Sequence, residues 1–252
     1  MGKLFIFKMI KDDEQRDDLG RGLSVIQKKK GFKYGTDSVL LAKFALMSEG
    51  IIPGRKDNLR CADFGTGTGI LPLLLSRDKR FSEITAYELQ PDYAEMAERS
   101  VAENNLGDRI KIVCRDIKEA ERFVDVVITN PPYKREGAGI PSERKDEFIA
   151  RHETVSNLED FIKSAAHILE TGGAFFMVNR PERLADTMEY MRRYKIEPKI
   201  LKMVLPKVSK QPSMFLIAGV KNGGKNLRVD CPLILMDENG NETEEVRKIY
   251  EF

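Results

Sequence analysis

Two short stretches hold residue types that could do chemistry. The first is Asn130-Pro131-Pro132-Tyr133, which follows the apolar run Val124-Asp125-Val126-Val127-Ile128-Thr129. A run of that kind reads as a buried strand, so the tetrad sits at a strand tip. An exocyclic amino or amide nitrogen spreads its lone pair into a π-system and is a poor nucleophile. The Asn130 side-chain oxygen can accept one N–H of such a nitrogen. The Pro131 carbonyl, aimed by the rigid Pro131-Pro132 pair, can accept the other. Two acceptors orient the nitrogen and stabilise the positive charge that develops as it attacks an electrophile. Tyr133 can stack on the planar group, a contact worth roughly 1–3 kcal/mol for a base on an aromatic ring. The chemistry asks for no side-chain general base. Taken alone, the same four residues would make an ordinary proline-rich turn.

The second stretch is Asp63-Phe64-Gly65-Thr66-Gly67-Thr68-Gly69, between an apolar run and a helix-like run. Glycine lets a backbone turn tightly and approach a ligand closely. A dinucleotide fingerprint would need glycine at the next position, where this chain has Ile70. Asp63 would repel a pyrophosphate but suits a ligand carrying an ammonium and a sulfonium. Glu88, at the end of the next strand-like run, can accept two ribose hydroxyl hydrogen bonds. Asp116 follows a third such run and can accept from an adenine amino group, with Ile117 packing on the ring. Each acid alone could equally be a solvated loop residue or a helix cap.

The elements that must hold these residues alternate. Residues 1–35 read as an extension, with a charged stretch from Asp12 to Asp18 and a short strand over Leu23–Ile26. A helix begins near Thr36, capped by Thr36 or Asp37. Strands are expected at Leu59–Phe64, Glu83–Glu88, Ile110–Cys114, Val124–Thr129, Ala174–Val178, Ile200–Leu205 and Met214–Val220. Helices follow the glycine turn, open at Pro91, and run over residues 158–169 until Gly172-Gly173 stops the last of them. This alternation predicts an α/β fold: a doubly wound, mostly parallel seven-stranded sheet with helices on both faces. In such a sheet ligands lie at the carboxyl ends of the strands, where all three acids and the tetrad fall. The catalytic domain is expected over residues 36–221, followed by an extension over 222–252 with a turn at Asp237-Glu238-Asn239-Gly240.

The acid–glycine turn and the two later acids resemble the class I S-adenosylmethionine-dependent methyltransferases over about residues 36–220. The tetrad resembles the signature of enzymes that methylate adenine N6, cytosine N4, guanine N2 or glutamine N5. Two further stretches, Gly31-Phe32-Lys33-Tyr34-Gly35-Thr36-Asp37-Ser38-Val39-Leu40-Leu41-Ala42 and Arg151-His152-Glu153, are similar to the bacterial tRNA1(Val) adenine-37 N6-methyltransferases. Release-factor glutamine methyltransferases share the tetrad but usually carry a helical N-terminal domain, for which residues 1–35 are too few. The resemblance implies S-adenosylmethionine as cofactor. It also implies cofactor contacts from Thr36, Asp37, Asp63, Gly65, Gly67, Gly69, Glu88, Leu89, Asp116, Ile117 and Asn130, with Asn130, Pro131, Pro132 and Tyr133 catalytic. Thr36 and Asp37 would lie near the methionine end, although Asp37 could instead simply cap its helix. The implied substrate is adenine N6 in tRNA. Another nucleobase in rRNA or DNA, a protein glutamine, and an inactive cofactor-binding RNA module remain as alternatives.

Composition agrees with this class without selecting it. The 252 residues are 41% hydrophobic and 33% charged, an ordinary balance for one folded domain with additions. No apolar run approaches the roughly 20 residues that cross a bilayer. The N-terminus does not read as a secretion signal. Three scattered cysteines, of which Cys61 and Cys114 fall in expected strands as small apolar groups, suggest neither a disulfide framework nor zinc. Two histidines exclude a multi-histidine metal centre, and the expected location is cytoplasmic. The net charge of +2 neither requires nor forbids a nucleic acid. Clusters at Lys28 to Lys33 and at Lys134-Arg135 could track a tRNA backbone. A later cluster comprises Lys207, Lys210, Lys221 and Lys225. Any single cluster could equally be a solvated face.

Overall fold

The computed structural model describes residues 10–30, 35–48, 50–52, 57–132 and 156–250. The chain opens with a two-stranded antiparallel hairpin, β1 (Glu14–Gly20) and β2 (Leu23–Lys28). Helix α1 (Thr36–Met47) follows, and then the alternating core: β3 (Leu59–Phe64), α2 (Ile70–Leu75), β4 (Phe81–Glu88), α3 (Pro91–Glu103), β5 (Ile110–Cys114) and β6 (Val124–Thr129). The second half comprises α4 (Leu158–Ile168), β7 (Leu169–Asn179), α5 (Leu184–Arg193), β8 (Ile196–Leu205) and β9 (Met214–Lys221). It ends with the short strands β10 (Arg228–Val229) and β11 (Leu233–Ile234) and helix α6 (Glu244–Tyr250).

The main sheet runs β10-β8-β9-β7-β6-β3-β4-β5, with β11 also paired to β8. The seven expected strands are all present, and the two-residue strands β10 and β11 widen the sheet to nine. Only β9 runs antiparallel to its neighbours. One face is covered by α1, α2 and α3, the other by α4 and α5, with a separate apolar cluster under each. The chain moves outward from β3 through β4 to β5, then returns to lay β6 on the other side of β3. That reversal is a topological switch point, where the connections diverge and open a crevice at the carboxyl ends.

Several local expectations are corrected. The charged stretch before Gly20, to which the sequence reading assigned no element, lies largely in the strand β1. Glu14 faces inward and is 2% exposed, because Arg99 on α3 donates to it through both terminal nitrogens at 2.7 and 2.5 Å. The hairpin is further fixed by Ile26 N–H donating to Ser100 Oγ at 2.9 Å. Neither Thr36 nor Asp37 caps α1. The N-cap is Gly35, in an extended conformation and with no side chain of its own to cap the helix. Gly172-Gly173 does not stop the preceding helix, which ends at Ile168. The pair forms a wide bulge inside β7, whose register with β6 jumps from Val124↔Leu169 to Val126↔Ala174. Cys61 is buried as expected, but Cys114 is exposed because β5 is an edge strand. Helix α5 was not anticipated, although Leu184, Thr187, Met188 and Met191 follow helical spacing along it.

Among the described residues no helix is long and apolar enough to cross a membrane. Nor, among them, does any group of three His, Cys, Asp or Glu side chains form a candidate metal site.

Candidate active site at the sheet's switch point

The acid–glycine turn leaves β3 at the switch point, and its geometry demands its glycines. Gly65, Gly67 and Gly69 have φ of +73°, +56° and +88°, the left-handed region that side chains rarely adopt. A Cβ on Gly69 would also come within 3.2 Å of the Ala97 Cβ on α3. Each N–H of Gly65 and Thr66 donates to the Tyr87 carbonyl at 3.0 Å, which ties the turn to the tip of β4. Below it, the Phe64 and Tyr87 rings meet edge to face at 5.5 Å.

Glu88 stands at that tip and is 6% exposed. Its Oε2 accepts from Gly67 N–H at 2.8 Å and its Oε1 from Gln90 N–H at 2.9 Å. Burial pushes its carboxyl above the usual range, while the backbone N–H groups of Gln90, Gly67 and Leu89 pull it back. The acid is thus held in one orientation by backbone alone. Leu89 beside it is 37% exposed, an apolar side chain open to solvent where a flat ring could rest.

Asp63 is completely buried. Neither of its carboxylate oxygens has a hydrogen-bond partner among the described residues, and the same holds for Thr66 Oγ1. Desolvation pushes the Asp63 carboxyl up to about 7; the nearby Thr66 hydroxyl lowers it and the Glu88 charge raises it. A buried acid without partners is costly unless something cationic comes close. It meets the requirement of a cationic cofactor, but from beneath the turn rather than as an exposed contact.

Asp116 caps the short 3-10 turn Ile117–Glu119, accepting from Lys118 N–H at 2.9 Å. Ser156 Oγ donates to the same oxygen at 3.2 Å. Ile117 is 6% exposed and belongs to the apolar cluster under α4. Asp116 therefore has the cap role that was open in the sequence. The pairing Glu88↔Cys114 sets β5 level with the tip of β4, so Asp116 and Glu88 flank one end of the crevice.

Asn130 and Pro131 leave β6 on the other side. The pair Phe64↔Thr129 is the last in the β3–β6 register, so Asn130 emerges level with Gly65. Thr129 Oγ1 donates to the Phe64 carbonyl at 2.8 Å and clamps the two tips together. Asn130 Nδ2 donates to Ser38 Oγ on α1 at 3.0 Å, which brings the amino end of that helix to the tetrad. Thr36 lies two residues before Ser38, its Oγ1 accepting from the Tyr250 hydroxyl at 3.2 Å, so α6 closes over the same helix end. Tyr133, Lys134, Arg135, Arg151, His152, Glu153 and residues 31–34 lie outside the described residues.

The structure thus gathers Asp63, the three glycines, Glu88, Leu89, Asp116 and Asn130 along one edge of the sheet, with Thr36 and Asp37 on the helix that abuts it. Ser38 escaped the sequence reading. Its neighbours Thr36 and Asp37 were noticed, but nothing local marks a serine whose partner lies 92 positions away.

Comparison with known proteins identifies the family and the fold. The model of the methyltransferase small domain family matches residues 51–195, more than half of the chain. A tRNA1(Val) (adenine(37)-N6)-methyltransferase of Porphyromonas gingivalis is 30% identical over 192 residues, covering 73% of this chain and 72% of that protein. One of Tolumonas auensis, with the same name, is 32% identical over 154 residues, covering 60% and 61%. Among solved structures, a predicted O-methyltransferase of Agrobacterium tumefaciens superposes with a TM-score of 0.65 at 21% identity, over 85% of this chain and 95% of that one. A class I S-adenosylmethionine-dependent methyltransferase of Listeria monocytogenes, described as putative, superposes with a TM-score of 0.60 at 14% identity, over 88% and 73%. These last two speak for the fold. The chain is an S-adenosylmethionine-dependent methyltransferase and belongs to the methyltransferase small domain family.

Proposed function

We propose that the chain methylates the exocyclic N6 of an adenine in tRNA. The single observation that carries the reading is the position of Asn130-Pro131-Pro132. It leaves β6 at the switch point, level with Gly65 and clamped to the β3 tip through Thr129 and Phe64. The curated relatives named as tRNA1(Val) (adenine(37)-N6)-methyltransferases support tRNA and adenine N6.

When bound, S-adenosylmethionine supplies an electrophilic methyl group on a sulfonium. The chain's own residues do the rest. Glu88 offers its fixed carboxylate to the ribose hydroxyls, and the left-handed glycine turn lets the backbone come close. Asp63 would offer a buried negative charge to the cationic end, and Thr36 and Asp37 on α1 would hold that end. Asp116 would accept from the cofactor's adenine amino group, and Leu89 and Ile117 would offer it apolar neighbours. Asn130 Oδ1 and the Pro131 carbonyl accept the two N–H bonds of the target nitrogen and hold it in line with the methyl. As positive charge grows on that nitrogen, both acceptors bind it more tightly. Tyr133 stacks on the base. A base in an anticodon loop is already partly unstacked, so its extrusion costs less than from a duplex. We assign residues 36–221 as the catalytic unit, residues 1–35 and 222–252 as flanking extensions, and the cytoplasm as the location, where a tRNA substrate is met.

The test is transfer of labelled methyl to total tRNA, protein extract and DNA from cells lacking the gene. Label is expected in tRNA and, after digestion, in N6-methyladenosine. Label confined to protein would replace the tRNA substrate with a glutamine side chain.

A further inference from the structure

Asn179 is the last residue of β7, the strand beside the one that carries the tetrad. The final β6–β7 pair is Thr129↔Met177, so Pro131 leaves β6 level with Asn179. Neighbouring strands lie about 4.8 Å apart, close enough for one planar base to meet both tips. Pairing with Phe215 on β9 fixes the Asn179 backbone from the other side. The residue is 5% exposed and follows Phe175 to Val178, all apolar and inaccessible. A polar side chain at that point is the exception on its strand.

Most amides can be turned either way round. This one cannot, because its partner is a backbone N–H, which only donates. Arg180 N–H donates at 2.8 Å to the Asn179 side chain, so the atom it meets is Oδ1. Nδ2 is then the open end, and among the described residues no group accepts from it. A nearly buried amide N–H without an acceptor is costly, and a bound ligand would supply one. Arg180 is the first residue to leave the strand, so the bond to its N–H leans the amide toward the carboxyl edge, where the crevice opens. The tetrad offers acceptors to an amino group. Adenine flanks its amino group with the ring nitrogens N1 and N7, which accept, so a donor on the next strand completes the pattern.

We propose that Asn179 reads the target base: its Nδ2 donates to a ring nitrogen beside the amino group that Asn130 and Pro131 hold. This rests on the adenine reading above. Asn179→Asp is the test variant, since it keeps the shape and the acceptor for Arg180 N–H but puts an acceptor where the donor was. Transfer is measured to tRNA carrying adenine, 1-deazaadenine or 7-deazaadenine at the methylated position. Asn179→Asp is expected to lower kcat/KM on the adenine tRNA about tenfold or more, with cofactor Kd and melting temperature close to wild type. On the one deaza substrate that lacks the contacted nitrogen, the unaltered chain should lose a similar factor and Asn179→Asp should cost little more. Wild-type activity of Asn179→Asp overturns the proposal. So does a loss that follows cofactor Kd or melting temperature, or an equal loss on all three tRNAs. If the unaltered chain transfers no methyl to the adenine tRNA, the adenine reading itself fails and takes the proposal with it, a result read before any variant is made.

Discussion

The backbone N–H of Gly67 donates to Glu88 Oε2 at 2.8 Å. This one bond joins two features that the sequence presents separately, the glycine turn after β3 and the acid at the end of β4. With the donation from Gln90, it turns Glu88 from a flexible side chain into a fixed acceptor. Glu88→Ala should weaken S-adenosylmethionine binding at least tenfold, the scale of losing charge-assisted hydrogen bonds worth about 1.5–3 kcal/mol each. Calorimetric titration measures it, and an unchanged Kd would remove the ribose role.

Asp63 should make cofactor affinity depend on pH. Its carboxyl lies at about 7 in the folded chain against 3.8 for the free side chain. A cationic ligand favours the ionised form, so binding should release a proton and affinity should rise as pH climbs from about 5.5 to 7. Folding moves the other way. The folded state holds this proton more tightly than the unfolded state. The stability of the cofactor-free protein is therefore greatest below 3.8 as far as Asp63 is concerned, and is lost as pH rises toward about 7. Asp63→Asn should flatten both dependences and weaken cofactor binding at pH 7.5. Titrations in buffers of different ionisation enthalpy count the proton; a count of zero at pH 6.5 contradicts the assignment.

The Glu14–Arg99 pair should matter for stability rather than chemistry. Both side chains are nearly inaccessible, at 2% and 3% exposure. Removing one partner strands a buried charge, so Arg99→Ala should destabilise by about 3–5 kcal/mol in urea unfolding. The Arg99 hydrogen bonds hold the Glu14 carboxyl below its usual 4.5. Its contribution is thus present above 4.5 and lost as pH falls through the depressed value. A stability change below about 1 kcal/mol at pH 7 would show that the hairpin is held by its other contacts.

The late lysine cluster divides by topology. β8 is antiparallel to β9, which is antiparallel to β7, so the carboxyl end of β8 lies on the same edge as that of β6. Lys207 and Lys210 follow β8 on that edge, while Lys221 and Lys225 close β9 on the opposite one. Reversing Lys207 and Lys210 to Glu should weaken tRNA binding and reduce its salt dependence, with cofactor Kd unchanged. Reversing Lys221 and Lys225 should leave tRNA binding intact. Equal effects from the two pairs would contradict a substrate surface on the active-site edge.

Much of the fold was legible because its signals are local. Leu59–Phe64, Ile110–Cys114 and Val124–Thr129 are short apolar runs bounded by turn residues, and the strands keep those limits. The acid–glycine turn and the tetrad were legible for the same reason. What was hidden depends on distant partners. β1 reads only as a charged stretch until Arg99, 85 positions away, neutralises its one inward acid. The β7 bulge needs β6 beside it before Gly172-Gly173 stops looking like a helix terminator. Pro198 concealed the first half of β8, and the capping role of Thr36 or Asp37 failed because Gly35 takes the extended cap position. Ser38 is the clearest case, a residue of ordinary type made significant by what folds against it.

The central claim is that the Asn130 amide holds the target nitrogen while other residues hold the cofactor. It is tested most directly by measuring Asn130→Ala twice on one preparation, for methyl transfer to tRNA lacking the modification and for S-adenosylmethionine affinity by calorimetry. Transfer is predicted to fall at least a hundredfold, the scale of losing one preorganised group that stabilises developing charge, with cofactor affinity within about threefold of wild type. Transfer near the wild-type rate would contradict the account.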